Sequence, residues 1–508
     1  MSEVLSIQAL TQPSAEAMAL VPPRIAARYG VLPLRLEGAT LHVAMEDPAA
    51  FDVLDELSMA LGCPVVGEAA DPRRLADAIR EHYGVGAETL DSLRSNQGAG
   101  TAEADATIDD LSEDASIIKF VNQIIVDAYN SRATDIHLEP FEHRLRVRYR
   151  IDGILVDARI PESIRHFRDA IVSRIKIMAD LDIAERRLPQ DGRIRVRITG
   201  KEFDLRVSVI PIAHGQSVNI RILQRSNVLL GLDSIGYDTE AIKTIHGLIK
   251  KPHGIILLTG PTGSGKTTTL YAALDVLNTS ERKILTIEDP VEYQLEGICQ
   301  MQVRSDIGFT FAKGLRSMLR HDPDVMLIGE IRDFETAELA IRCSLTGHLV
   351  FSTLHTNDAA GAAARLIDIG IEPYLLASSL DAVLAQRLIR LICPHCMEGY
   401  VPEDEALREC GVDPRAVAEV AFKRGQGCEH CRDLGYQGRS AIYELLLVDE
   451  TIRGMIIDRV QSSRIKEEAR RQGMLTLRDC GWSRIVAGLT TVDEVLRVTQ
   501  DDAKGKGG

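Results

Sequence analysis

The residues with the clearest chemistry lie in one glycine-rich segment near the middle of the chain. Gly260 is followed, after four residues, by Gly265, Lys266 and Thr267, which fits the phosphate-loop pattern G-x-x-x-x-G-K-[ST] at every fixed position. Glycines let successive backbone N–H groups point into one small volume and hold phosphates there, while Lys266 can reach the β- and γ-phosphates and Thr267 can hold Mg²⁺. The residues expected to contact the nucleotide are Gly260, Pro261, Thr262, Gly263, Ser264, Gly265, Lys266 and Thr267.

The sequence on either side of this phosphate loop predicts the elements that must hold it. Residues 255–258 form a short apolar run typical of a buried strand. Residues 267–277 contain neither Gly nor Pro and predict a helix, whose positive end would face the phosphates. A glycine-rich turn that matches by chance is the alternative, and the order of strand, loop and helix argues against it.

Two further apolar runs predict strands that deliver a carboxylate at their carboxyl ends. Residues 284–287 precede Glu288, and residues 325–328 precede Gly329 and Glu330. Strands that alternate with helices predict a mainly parallel sheet, whose ligand lies at the carboxyl ends of the strands. A carboxylate there can hold Mg²⁺, often through water, or orient the attacking water. The alternative for Glu288 or Glu330 is a helix cap or a surface ion pair.

Two histidines flank another predicted strand. Residues 349–353 are apolar or small, with His348 before them and His355 shortly after. A single histidine is more often structural, but a pair beside a core strand could sense the terminal phosphate through hydrogen bonds. We therefore expect both histidines to belong to the nucleotide site.

Four of the nine cysteines form two CxxC pairs with a spacing typical of zinc sites. Four thiolates close a tetrahedral site and leave no open position for catalysis, so the metal would be structural and would hold together a protruding subdomain. A dithiol redox site is the alternative, but it would not need two pairs. His395 and His430 lie inside the pairs and are potential alternate ligands. The predicted zinc ligands are Cys393, Cys396, Cys428 and Cys431.

The composition is that of a globular protein, with 45% hydrophobic and 26% charged residues in a chain of 508. The net charge of −15 argues against a protein that coats nucleic acid or anionic lipid over its whole surface, although a local basic patch remains open. No apolar run approaches the roughly 20 residues needed to span a bilayer, and the first residues lack a signal-peptide core. We therefore expect a cytosolic protein without disulfides that contacts a membrane only through partners.

Composition and periodicity divide the chain into an interaction module, a small polar and acidic linker, a second α/β domain, a nucleotide-binding core, a zinc subdomain and a helical tail. The expected boundaries are residues 1–84, 85–114, 115–232, 233–390, 391–440 and 441–508. The apolar run at residues 442–447 fits either a strand or a helix.

Predicted strands of the second α/β domain place arginines on one face. Residues 145–151 alternate strictly, with arginine at every second position, and residues 193–197, 203–209 and 218–223 add further strands. Such a face is usually the solvated surface of a sheet. It could instead contact nucleic-acid phosphates, or it could aim guanidinium groups at the nucleotide of a neighbouring subunit.

Taken together, the motifs resemble the secretion ATPases of the type II and type IV pilus class, and they are close to the GspE type. The resemblance covers nearly all of residues 115–500. Residues 286–293 resemble the aspartate box of that family, residues 329–333 its variant Walker B motif, and residues 346–357 its histidine box. The other matching stretches are residues 131–140, residues 188–193 and the four paired cysteines.

The resemblance implies an α/β protein with a RecA-like P-loop ATPase core, a preceding PAS-like α/β domain, a small N-terminal α/β domain and a zinc-bearing insertion. It implies a cytoplasmic hexamer that binds ATP, Mg²⁺ and Zn²⁺ and hydrolyses ATP to drive pseudopilus assembly and protein export. Arg206 and Arg221 match the paired arginines that reach the phosphates from the second domain. A type IV pilus extension motor would have the same core and is the alternative.

Partners are also implied by the resemblance. The cytoplasmic domain of an inner-membrane secretion protein of the GspL type would bind the N-terminal module, and a polytopic platform protein of the GspF type and further copies of this chain complete the assembly. Some relatives carry an N-terminal cyclic-di-GMP module, of which residues 22–48 resemble only the later part, so that ligand is not expected. A DNA translocase and a non-enzymatic nucleotide-gated scaffold are the rivals; the acidic balance and 4% aromatic residues argue against nucleic acid.

Overall fold

The computed structural model describes residues 10, 12–84, 108–224, 230–417 and 419–499. It comprises two compact units, Met1–Ser226 and Asn227–Gly508. Most of the predicted linker, at residues 85–107, and the last residues of the predicted tail, at 500–508, lie outside the described part of the chain. Within that part, no helix has both the length and the apolar character needed to cross a membrane.

The first unit begins with a small α/β module. Its elements are α1 (Ala15–Leu20), α2 (Pro23–Tyr29), β1 (Leu32–Glu37), β2 (Thr40–Met45), α3 (Phe51–Leu61), β3 (Val65–Ala69) and α4 (Pro72–Tyr83). Strand β2 pairs antiparallel with β1 and parallel with β3. The sequence pattern predicts helices at residues 15–20, 23–29, 51–61 and 75–83 and a strand at residues 41–45, and the structure has all of them. The sequence does not indicate β1 and β3, because Pro33 and Gly67 interrupt their patterns.

A six-stranded antiparallel sheet follows in the same unit. Its elements are α5 (Ile108–Asn130), β4 (Ala133–Pro140), β5 (Leu145–Ile151), β6 (Ile154–Asp157), α6 (Arg168–Met178), β7 (Gln190–Ile198), β8 (Lys201–Ile212) and β9 (Gly215–Gln224). The strand order is β6-β5-β4-β9-β8-β7. Helix α5 begins at Ile108. Residues 108–114 are therefore helical, whereas the sequence predicts that they belong to the linker. Their acidic residues suggested a linker, but acidic residues also favour the first turn of a helix.

The second unit is built on a seven-stranded sheet of order β12-β11-β13-β14-β10-β15-β18. Its first six strands are parallel, and the last pairs antiparallel with its neighbour. The carboxyl ends of the parallel strands therefore share one edge, as predicted. The elements up to the last parallel strand are α7 (Thr239–Ile249), β10 (Gly254–Thr259), α8 (Lys266–Leu277), β11 (Ile284–Glu288), β12 (Cys299–Gln302), α9 (Phe311–Met318), β13 (Val325–Ile328), α10 (Phe334–Leu345), β14 (Leu349–Leu354), α11 (Ala360–Ile369), α12 (Pro373–Ser379) and β15 (Leu380–Ile392).

The cysteine-bearing segment is inserted between two adjacent strands of this sheet. It contains β16 (Met397–Gly399), α13 (Asp404–Glu409) and β17 (Lys423–Gly425), after which β18 (Tyr436–Leu447) returns beside β15. The ambiguous run at residues 442–447 is thus a strand, and the sheet extends past residue 390. Four helices complete the unit, namely α14 (Glu450–Ile457), α15 (Ser462–Arg471), α16 (Leu477–Val486) and α17 (Val492–Thr499).

The sequence predicts that the inserted segment protrudes, but part of it is buried in the main core of the unit. Its buried side chains Leu407, Cys410 and Phe422 belong to the same hydrophobic core as Leu258 of β10 and Val495 of α17. One apolar core therefore joins the nucleotide-binding sheet, the insertion and the C-terminal helices. The CxxC spacing predicts a metal site, but it carries no information about which apolar residues of the segment the main core buries.

Candidate nucleotide site and cysteine cluster

The phosphate loop connects β10 to α8, and its conformation depends on glycine. Gly260, Gly263 and Gly265 have φ angles of +143°, +81° and +87°, which other residues rarely adopt. Gly260 also has no room for a side chain, since a Cβ there would lie 2.6 Å from the carbonyl oxygen of Gln386. The predicted strand, loop and helix are confirmed.

The outer side of the loop is open to solvent. Pro261, Thr262 and Gly263 are exposed, whereas Ser264 is buried beneath them. Thr267, the second residue of α8, is partly exposed. A phosphate chain can therefore reach the loop from outside.

Lys266 folds back over the loop. Its Nζ donates hydrogen bonds to the carbonyl oxygens of Gly260, at 2.6 Å, and Pro261, at 3.1 Å. Burial and the nearby positive charge of Arg387 lower the pKa of Lys266 to about 8, while the negative charge of Glu330 opposes this shift. The ammonium group thus lacks a full counter-charge, which the phosphates of a nucleotide would supply.

Glu288 is the last residue of β11 and is almost fully buried. Its carboxylate accepts hydrogen bonds from the hydroxyl of Tyr271, from the hydroxyl of Thr286 at 2.5 Å, and from the amide of Gln300 at 3.3 Å. Burial raises the pKa of Glu288, and these hydrogen bonds oppose the rise. Side chains of this unit thus already contact both carboxylate oxygens.

Glu330 lies beside Glu288 because the ends of β13 and β11 approach closely. A Cβ on Gly329 would lie only 3.3 Å from the Cα of Glu288, so a larger residue before Glu330 would push the two ends apart. The Glu330 carboxylate forms an ion pair with Arg332 at 2.6 Å, and its other oxygen lies 3.4 Å from Nε2 of His355. Because Glu330 also acts on the pKa of Lys266, the loop and this carboxylate belong to one electrostatic site.

The two predicted histidines lie at opposite ends of β14. His355 follows the carboxyl end of the strand and contacts Glu330, so the structure brings it to the site. His348 precedes the amino end, about 20 Å away for a strand of this length, and its Nδ1 lies 2.9 Å from the carbonyl oxygen of Cys343. Within one subunit, the predicted phosphate-sensing role therefore does not extend to His348.

Two residues of β15 belong to the site but do not stand out in the motif analysis. Gln386 is fully buried and donates from Nε2 to the carbonyl oxygen of Ser264, at 2.9 Å. Arg387 donates to the carbonyl oxygen of Asn357, at 2.8 Å, and its charge lowers the pKa of Lys266. The sequence signal that could have identified them is their adjacency within a mostly apolar run. Polar side chains buried in such a strand need hydrogen-bond partners, which here lie in the loops of the site.

In the first unit, charged residues on successive strands form one row across a face of the sheet. The register places Arg150, Asp135, Arg221, Arg206 and Arg193 directly opposite one another in that order. Arg221 donates from Nε to Asp135 at 3.0 Å. Arginines that face each other across strands repel, so an anion bound at this row would be stabilising.

Other arginines on this face pair with acidic residues instead. Arg146 contacts Asp157 at 2.6 Å, and Arg148 contacts Glu139 at 2.6 Å. These arginines behave as the solvated, ion-paired surface of a sheet. The predicted pair, Arg206 and Arg221, thus lies in the part of the face where positive charge is most concentrated.

The four paired cysteines of the insertion come together in one cluster. Sulfur–sulfur distances are 3.8 Å for Cys393 and Cys428, 3.8 Å for Cys396 and Cys431, and 3.7 Å for Cys428 and Cys431. All four sulfurs lie within 4.8 Å of one another. A tetrahedral site with Zn–S bonds of about 2.3 Å requires separations of about 3.8 Å, whereas a disulfide requires about 2.05 Å. The donor set therefore fits zinc.

Comparison with known families agrees with this geometry. A family model described as "Type II/IV secretion system protein" matches residues 110–497, and one described as "MshEN domain" matches residues 5–89. Type II secretion system protein E of Pseudomonas aeruginosa is 50% identical over 390 residues, which are 77% of each chain. Type IV pilus assembly ATPase PilB of Myxococcus xanthus is 44% identical over 491 residues, which are 95% of this chain and 86% of PilB.

Solved structures agree on the fold. The ATPase DotB of Legionella pneumophila has a TM-score of 0.55 and 20% identity, with 76% of this chain and 96% of DotB covered. The α/β class and the RecA-like core are thereby confirmed. Since the first family model covers more than half of the sequence and the relatives cover most of it, the chain belongs to the Type II/IV secretion system protein family, as an enzyme that hydrolyses ATP.

Proposed function

We propose that the phosphate loop, Glu330 and Glu288 form the ATPase site of a type II secretion motor. The observation that carries this proposal is that the phosphate loop after β10 and Glu330 after β13 follow the carboxyl ends of parallel strands of one sheet, with β14 between them. The loop amides and Lys266 would hold the phosphates of ATP. Thr267 and Glu330 would hold Mg²⁺, which supplies charge neutralisation for phosphoryl transfer when bound.

Glu330 and Glu288 would have different roles in the site. Within the described part of the chain, the Glu330 carboxylate pairs with Arg332 and one of its oxygens has no hydrogen-bond partner, so it is the better candidate to orient the attacking water. Glu288 has its oxygens engaged by Tyr271, Thr286 and Gln300, and would fix the end of β11 beside it. His355 would hold the Glu330 carboxylate in place and report on the terminal phosphate.

Arg206 and Arg221 would complete the site of a neighbouring subunit in a homohexamer. A guanidinium is planar and permanently charged, so it can form bidentate contacts with phosphate oxygens. The concentration of arginines in one row of the sheet supports this role. The pair would stabilise the charge that develops as the terminal phosphate leaves.

Zn²⁺ would be held by Cys393, Cys396, Cys428 and Cys431 and would stabilise the insertion. Hydrolysis in the ring would drive pseudopilus assembly and protein export. The cytoplasmic domain of a GspL-type inner-membrane protein would bind the N-terminal module, a GspF-type platform protein would receive the motion, and both would keep the chain at the inner membrane. The alternative is a type IV pilus extension motor, favoured by the 44% identity to PilB over 95% of this chain.

The proposed site is tested by measuring phosphate release and nucleotide binding in the same preparations. Lys266→Ala should lose nucleotide binding, whereas Glu330→Gln should keep it and hydrolyse at least about 100-fold more slowly, because a positioned carboxylate is lost. Lys243→Ala is the control, since that exposed lysine pairs with Glu240 on the same helix, α7. Normal turnover by either site variant would overturn the assignment.

A further inference from the structure

A single buried amide contacts the peptide on which the phosphate loop turns into its helix. Gln386 of β15 donates from Nε2 to the carbonyl oxygen of Ser264, at 2.9 Å. Gln386 is fully buried, and Ser264 is almost so. The contact is close, because a Cβ on Gly265 would lie 2.8 Å from the same Nε2. The side chain of one strand thus contacts the loop that follows another.

The orientation of the Ser264–Gly265 peptide decides which group faces the phosphates. In a planar trans peptide the carbonyl oxygen and the next N–H point in opposite directions. While Gln386 holds the Ser264 oxygen, the N–H of Gly265 points the other way. Gly265 has φ of +87°, and glycine accepts either sign of φ at little cost, so its own backbone preference does not fix the peptide. A flipped peptide would present an oxygen where an anion needs a donor.

Two hydroxyl groups determine which end of the Gln386 amide faces the loop. The Gln386 Oε1 accepts from the hydroxyl of Thr269, at 2.9 Å, and from that of Tyr237, at 2.5 Å. Both partners are almost fully buried, and the two hydroxyls lie 3.0 Å apart. Burial raises the pKa of Tyr237, which keeps it neutral and able to donate. Exchanging the ends of the amide would set its oxygen against the Ser264 oxygen.

We propose that Gln386 is a positioning residue of the nucleotide site, which holds the Ser264–Gly265 peptide so that the Gly265 N–H is turned toward the β-phosphate. This inference rests on the proposed function, since it assumes that the loop binds ATP. The inference predicts a specific effect on affinity. Loss of the Gln386 amide should weaken the binding of nucleotides that carry a β-phosphate and should leave contacts to the rest of the nucleotide unchanged. A merely structural role for Gln386 would affect folding and would weaken all nucleotides equally.

The experiment compares the full-length protein with Gln386→Leu, which keeps the side-chain volume but removes the amide. The dissociation constants of ADP and AMP are measured by competition with one fluorescent nucleotide, together with thermal unfolding. Loss of one hydrogen bond to a charged group should weaken ADP about tenfold or more while AMP, which has no β-phosphate, changes little. The control is Leu384→Ala on the same strand and face, which should lower the melting temperature without changing either constant.

A second variant keeps the inference open to test if the leucine variant does not fold. Gln386→Glu has the same size and donates to Ser264 only while protonated. Relative to the wild type at each pH, its ADP affinity should be equal near about pH 6 and should fall as the buried carboxyl group ionises. ADP affinity that matches the wild type throughout, or an equal loss for ADP and AMP in Gln386→Leu, would overturn the inference. Normal ADP binding by Lys266→Ala would instead contradict the proposed function.

Discussion

The charge of Lys266 is the property of the nucleotide site that depends most on its surroundings. Burial and Arg387 lower the pKa of this ammonium group to about 8, so a fraction of it is neutral at mildly alkaline pH. Bound phosphates would raise that pKa again, because they supply the missing negative charge. Nucleotide binding and protonation of Lys266 are therefore linked.

We predict that nucleotide affinity falls as the pH rises through about 8. The charged form of Lys266 binds phosphate, and this form predominates below about pH 8 and declines above it, so affinity is lost at high pH. The measurement is the dissociation constant of ADP between about pH 7 and 9.5, where the phosphates have lost their protons. Lys266→Arg remains charged throughout. A pH profile in the arginine variant as steep as that of the wild type would contradict the assignment.

Motifs predict which residue types meet at this site better than they predict its geometry. Lys266 was recognisable from the phosphate-loop pattern, and Glu288 and Glu330 from their places at the ends of apolar strand runs, since parallel strands bring such positions together. His348 shows the limit of this reasoning. It precedes β14 and His355 follows it, so the two histidines lie at opposite ends of the same strand. Gln386 shows another limit, because no sequence pattern states that β15 pairs with β10.

Among the elements, β15 and β18 form an antiparallel pair whose connection carries the cysteine cluster. Cys393 follows the end of β15, and Cys431 lies five residues before β18 begins. A metal bound by all four sulfurs would fix both ends of the insertion. Its stabilising effect should extend to the strand pair, because metal binding to a folded site adds to folding free energy.

We predict that Cys396→Ser removes most of the bound zinc and lowers the melting temperature by several degrees. The reason is the loss of one of four thiolates from a closed site. Zinc content per chain is measured by elemental analysis of the purified protein, beside thermal unfolding. Cys299→Ser is the matched control, since Cys299 is an exposed cysteine on β12 outside the cluster. Equal zinc content in both variants would exclude the proposed ligand set.

Strong local patterns locate most elements, and long-range pairing accounts for the rest. The strand at residues 325–328 and the helix at residues 51–61 were predictable from apolar periodicity and flanking breakers. Strand β12 was not, because it is a short edge strand with no buried residue and therefore shows no apolar run. Residues 442–447 form a strand because they pair with β15, which is distant in sequence, so their own apolar pattern could not decide between strand and helix.

At the scale of the whole molecule, the two sets of groups proposed to act on the phosphates lie in different units. Lys266 and Glu330 belong to the second unit, whereas Arg206 and Arg221 belong to the first. In a ring, one subunit's arginines can serve the loop of the next. Activity would then belong to the assembly rather than to a single chain.

We predict that the ATPase rate per chain rises with protein concentration, and that Arg221→Ala lowers it at every concentration. Mixing Arg221→Ala with Lys266→Ala should restore part of the activity, because intact loops from the first variant then meet intact arginines from the second. Steady-state phosphate release measures this. Arg146→Ala should match the wild type, since Arg146 lies on the same sheet face but pairs with Asp157. A rate that is independent of concentration, with no recovery on mixing, would argue against shared sites.

One of the hydrophobic cores of the second unit also bears on how a displacement at the phosphate loop would reach distant parts of that unit. Leu258 ahead of the phosphate loop, Phe422 in the insertion and Val495 in the last helix are buried in that core together. Close-packed interiors compress very little, so they transmit displacement instead of absorbing it. A displacement at the loop would therefore be passed on through this core to the insertion and the last helix, where an attached load would feel it.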